Sequence, residues 1–116
     1  MAVQKNWEVD QNATFTFQIQ YTEEDEVTPI SLNGSSAKMQ VRDTKGGSKL
    51  AFTLTSPSGG ITVDGANGLL TVKMTPTQTN KLFYPKSAYD IMVVDSNGNK
   101  IKLLEGFITL SRSVTI

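Results

Sequence analysis

From Ala13 the chain reads ATFTFQIQYT, with Phe15, Phe17, Ile19 and Tyr21 at every second position and polar residues between them. Successive side chains of an extended backbone point to opposite faces, so this spacing predicts a strand with one face in a core and the other in water. The run Ser36–Arg42 repeats the pattern with Ala37, Met39 and Val41 inward, and Lys49–Thr55 does so with Leu50, Phe52 and Leu54. Between these two runs lies DTKGGS, in which Gly46 and Gly47 can take the positive φ of a tight hairpin. The two runs are therefore expected as antiparallel neighbours.

The segment GGITVDGANGLLTVKMTPTQTNKL, Gly59 to Leu82, parses the same way. Gly59 and Gly60 bring the chain round, Ile61 and Val63 form a short strand, and Asp64 to Gly68 turns it, with Asn67-Gly68 suited to left-handed positions. Leu70, Val72 and Met74 then alternate inward. At Thr75 the rule changes: a Thr cap, Pro76 at the first helical position and Gln78 three residues after the cap make a capping-box signature. One or two helical turns are expected to about Leu82. So short a helix needs tertiary support, which Leu82 or Phe83 would provide by tucking under a sheet edge as a crossover plug.

In the last third Tyr89, Ile91 and Val93 alternate up to Asp95-Ser-Asn-Gly-Asn99, a hairpin signal. The returning strand has Ile101 and Leu103 in one phase, then Leu104, Ile108 and Leu110 in the other. A period-two pattern changes phase only through an extra residue, so a β-bulge is predicted between Leu103 and Gly106, with Gly106 as the bending residue. Turn signals recur about every 8 to 12 residues and strands do not alternate with full helices. The pattern thus reads as an antiparallel β-sandwich of seven or eight strands with one short helical turn; a small closed barrel would show the same alternation.

Composition narrows the function. The 116 residues fit one domain, residues 1–116, with no internal repeat. Eleven basic residues balance eleven acidic ones, which leaves no net field to draw in nucleic acid or anionic lipid. No apolar run approaches the roughly 18 residues of a membrane span, and MAVQKNWEVDQ has no signal-peptide core. The chain has neither histidine nor cysteine, so Ser-His-Asp triads, Cys-His dyads, disulfides and ordinary zinc sites are excluded. No GxSxG, P-loop or GxGxxG pattern occurs. The expectation is a non-enzymatic protein without catalytic, metal-binding or cofactor-binding residues and without a cofactor.

Four features bear on binding. Asp95, Asn97 and Asn99 match the first ligand positions of a calcium loop, but Lys100 stands where its glycine belongs and Gly106 where its glutamate belongs; the stretch reads as a hairpin turn. Glu23, Glu24, Asp25 and Glu26 read as a solvated loop. Asn12-Ala-Thr14 and Asn33-Gly-Ser35 fit the glycan acceptor pattern, which matters only in a eukaryotic secretory setting. Trp7 either fills the core or anchors a partner, and the C-terminal Val114 and Ile116 either pair within their own sheet or are offered to a neighbour by β-augmentation. Trp7, Val114 and Ile116 are the candidate partner contacts.

The stretches ISLNGSSAKMQVRD, GGITVDGANGLLTVKMTPTQTNKL and AYDIMVVDSNGNKIKLLEGFITLSRSVT carry a resemblance. The chain resembles a family of small tail-associated proteins of bacteriophages and prophages, and is similar to the N-terminal domain of the baseplate upper protein of some long-tailed phages. Met39 to Arg42, Gly59 to Thr62, Met74 to Thr79, Tyr89-Asp90 and Leu103 to Gly106 fall in the family's order, and the resemblance spans about Asp10 to Thr115. It departs from the family at Val9 to Thr14 and at Pro85 to Ser87. The resemblance implies an immunoglobulin-like sandwich acting as a non-enzymatic virion structural protein of a tail or baseplate. Such a protein is made in the host cytoplasm, carried in the virion and bound to other virion proteins in many symmetric copies. A capsid decoration protein and a host-surface glycan-binding module are the alternatives.

Overall fold

A computed structural model describes residues 3–21, 32, 34–44, 47–56 and 59–112. They form nine strand segments and one helix: β1 (Val3–Gln4), β2 (Trp7–Asp10), β3 (Phe15–Gln20), β4 (Ser36–Arg42), β5 (Leu50–Thr55), β6 (Ile61–Asp64), β7 (Leu69–Met74), α1 (Pro76–Thr79), β8 (Lys86–Val94) and β9 (Lys100–Ser111). One sheet has the order β1-β9-β8-β4-β5, with β2 following β1 along the same side of β9; the other has the order β3-β7-β6. Side chains from both layers meet in one core that includes Met39, Leu54, Ile61, Leu70, Met74, Ile91, Leu104 and Ile108, all essentially inaccessible to water. The architecture is an all-β sandwich, a three-strand layer packed against a larger sheet.

One pairing departs from the antiparallel expectation. β1 and β2 both run parallel to β9, with Val3 beside Leu104 and Asp10 beside Ser111. A hairpin cannot join parallel strands, and here the two partners come from opposite ends of the sequence. Gly106 makes this seam possible. A Cβ there would overlap the Lys5 carbonyl oxygen and sit 2.9 Å from Asn6 Oδ1, so only glycine lets the β1–β2 junction lie against β9.

That function for Gly106 corrects the expectation that it bends a bulge. Gly106 pairs regularly with Tyr89, and the extra residue of β9 is Leu103, between the Met92–Lys102 and Ile91–Leu104 pairs. Leu103 and Leu104 are consequently both buried, and the strand changes phase as its sequence requires. A second bulge, unforeseen, lies where Arg42 pairs with Leu50 and Val41 with Phe52. It leaves Ala51 over and turns Leu50 outward to 46% exposure, whereas Phe52 and Leu54 point inward as expected. In the β4–β5 connection Gly47 keeps an ordinary φ, and its amide closes on the Thr44 carbonyl oxygen at 2.8 Å; Gly46 lies outside the described residues.

The β6–β7 turn places Gly68 alone in the left-handed region, at φ 62°, and leaves Asn67 out of it. The capping box forms as its residues dictate: Thr75 Oγ1 accepts from the Gln78 amide, and Gln78 Oε1 accepts from the Thr75 amide. α1 closes at Thr79, short of Leu82, because turn bonds from Lys81 to Gln78 and from Leu82 to Thr79 take over. Leu82 is nonetheless buried, and the buried Thr79 hydroxyl, 2.9 Å from the Ala13 carbonyl oxygen, ties this crossover to the β2–β3 turn.

Candidate interaction surfaces

Ladder parity decides which backbone groups face outward. The Tyr21 amide donates to the Gly68 carbonyl oxygen at 2.7 Å, so Ile19, Phe17 and Phe15 bond to β7 in alternation. The amides and carbonyls of Thr16, Gln18 and Gln20 therefore point away from the sheet. Among the described residues no strand pairs with that side of β3. On β5 the same parity turns Ala51, Thr53 and Thr55 outward, and Thr55 is closed by two hydrogen bonds with Gly59, of 2.9 and 3.1 Å.

The outer face of the larger sheet is the second surface. Ala88 is a small residue facing outward between the Arg42 and Phe107 columns, and it floors a depression of about 280 Å³ that Gln4, Gln40, Asp90 and Glu105 also border. Arg42 is fixed at its rim, its guanidinium donating to the Gly47 carbonyl oxygen and to Gln40 Oε1, each at 3.1 Å. Lys102 lies 3.9 Å from Asp90 and 3.7 Å from Glu105, and Lys86 covers the Phe107 ring at 4.4 Å. A second depression, of about 460 Å³, adjoins it over Lys38, Met92 and Val94 and shares Gln40 and Asp90. The surface mixes an apolar floor with fixed charges of both signs.

Trp7 sits where the two sheets close. Its ring stacks on Phe17 at 4.3 Å between centroids and meets Phe15 edge-on at 6.0 Å, so it is half-buried in the seam. Its indole N–H donates to the Tyr89 phenol oxygen at 2.7 Å. Tyr89 is buried, and the desolvation that follows pushes its pKa up to about 12, with the Trp7 hydrogen bond offsetting part of the rise. Tyr84, by contrast, is 61% exposed beneath the Arg112 guanidinium, 4.9 Å from its ring.

The remaining sequence candidates separate. The Asp95 carboxylate accepts amide hydrogens from Asn97 and Asn99 at 2.9 Å each, and the Asn99 amide leads the interactions that hold its pKa below the ordinary value. Its lone pairs are thus engaged in shaping the hairpin. No cluster of three or more potential metal-ligating side chains occurs among the described residues. Val114, Ile116, Asn33 and the Glu23–Glu26 run lie outside them. Sequence reasoning missed the depression over Ala88; an alanine at an outward position of a central strand was the available signal. Compared with known proteins, the chain matches no family model and no curated protein.

Proposed function

We propose that this protein is a non-enzymatic assembly module, a structural protein of a bacteriophage tail or baseplate that binds other virion proteins. The resemblance across Asp10 to Thr115 supports the virion setting. The observation that carries the binding role is the pair of adjoining depressions on the outer face of β9, β8, β4 and β5, where Arg42, Asp90 and Glu105 stand around the Ala88 floor. A neighbour's side chain seated there meets apolar area in the centre and fixed charge at the rim, the division found in specific interfaces. Repetition around a symmetric particle would let modest contacts add.

Labelled antibody on purified particles tests the setting. Tail labelling is expected; labelling across the head would favour capsid decoration, and unlabelled particles would end the virion reading. The Ala88→Arg substitution tests the surface, since a long side chain there fills the depression from its floor. The variant is expected to fold and to enter particles poorly; normal incorporation would remove this face from the contact. The glycan-binding alternative has Tyr84 as its exposed aromatic, and retention on a host polysaccharide array that a Tyr84→Ala change abolishes would favour it.

A further inference from the structure

Sheet edges invite pairing unless they are interrupted, charged or short, and the four outer edges formed by the described residues differ sharply in that respect. The β1–β2 edge is broken at Lys5-Asn6 and carries Glu8 and Asp10. The β5 edge is bulged at Ala51 and closed at Thr55 by Gly59. β6 offers four residues and ends on Asp64. β3 is different: six residues, FTFQIQ, in unbroken register with β7, with no charge, proline, glycine or bulge.

We propose that β3 pairs antiparallel with β3 of a second copy of this chain, about a two-fold axis at Gln18, making one continuous sheet β6-β7-β3-β3-β7-β6. The strand is its own complement in that register. Thr16 lies opposite Gln20 of the second copy, Gln18 opposite Gln18, and Phe17 opposite Ile19, so polar side chains meet polar ones on the wet face and apolar ones meet on the core face. The outward amides and carbonyls of Thr16, Gln18 and Gln20 are the groups that such pairing satisfies, with about six interchain hydrogen bonds. The interface is self-matching, as a two-fold contact requires.

The inference goes beyond the proposed virion role and does not depend on it. Sedimentation velocity over a dilution series tests it. The unaltered chain is expected to double in mass as concentration rises, and the amides of Thr16, Gln18 and Gln20 to exchange more slowly in the same samples. Gln18→Lys and Gln18→Glu each place like charges on the axis and should remain monomeric while keeping the parent's circular dichroism and melting temperature. An equimolar mixture of the two variants should regain the doubled mass. A single monomer mass at every concentration would overturn the proposal. So would a dimer that persists in both Gln18 variants, or one that survives them and is lost on Thr53→Lys, which would assign the contact to β5.

Discussion

Trp7 and Tyr89, 82 positions apart, share a 2.7 Å hydrogen bond from indole nitrogen to phenol oxygen, and the phenol in turn donates to the Lys5 carbonyl oxygen at 2.7 Å. One buried hydroxyl therefore serves both the edge-closing aromatic and the backbone where β1 passes into β2. Removing that oxygen while keeping the ring leaves a donor and an acceptor without their partner. Tyr89→Phe should lower unfolding stability by about 1–3 kcal/mol in urea titrations. A variant as stable as the parent would mean that water replaces the phenol at both groups.

The same phenol gives a pH signature. Its folded pKa, about 12, lies above the ordinary 10.0 because burial disfavours the phenolate. A folded pKa above the unfolded one means that the stabilisation is complete below pH 10 and is lost as pH climbs toward 12. The stability difference between the parent and Tyr89→Phe should therefore narrow over that window. A difference constant from pH 9 to 12 would contradict the burial.

Gly106→Ala should separate β1 and β2 from β9, since the added methyl occupies the position of the Lys5 carbonyl oxygen. Overpacking of this kind costs about 1–3 kcal/mol. Amide exchange is the sharper readout: Trp7–Asp10 should lose protection while the β3–β7 ladder keeps it.

Thr75→Ala removes the side-chain half of the capping box and should cost about 1 kcal/mol. Thr79→Val keeps the shape of a buried residue but leaves the Ala13 carbonyl oxygen without its hydroxyl donor, and should cost about 1–3 kcal/mol. Equal stability of the Thr79 variant would show that the crossover does not depend on this tie.

Asp95→Ala should lower the melting temperature at neutral pH. The Asn99 amide, more than any other group, favours the carboxylate and depresses its pKa, so this contribution is present above pH 3.8 and fades as acid titrates the folded group. Melting curves of parent and variant are expected to converge in strong acid.

The alternation of Phe15, Phe17 and Ile19, of Met39 and Val41, and of Tyr89, Ile91 and Val93 is readable in the sequence because a strand with one dry face has little freedom in where its apolar residues fall. The capping box was readable for the same kind of reason, its partners lying three residues apart. Even the phase change in β9 was visible, although its extra residue is Leu103, at the near limit of the stretch expected to hold it, and Gly106 pairs regularly instead of bending there. What the sequence hid was set by partners far along the chain. Leu50 looks inward by local spacing, and only its pairing opposite Arg42 turns it out. Gly106 looks like a bend until Lys5, 101 positions earlier, is laid against it. Among the surfaces, the uncharged composition of β3 was in plain view, but its place at the rim of the three-strand layer was not. The Ala88 hollow depends on Arg42 and Phe107, which reach it only through the finished β4-β8-β9 order.

The parallel seam also has a mechanical consequence. Tension drawing Val3 and Arg112 away from each other runs along β1–β2 in one direction and along β9 in the other, so the bonds between them are loaded together in shear. They would have to fail nearly at once, whereas a hairpin pulled open at one end unzips bond by bond.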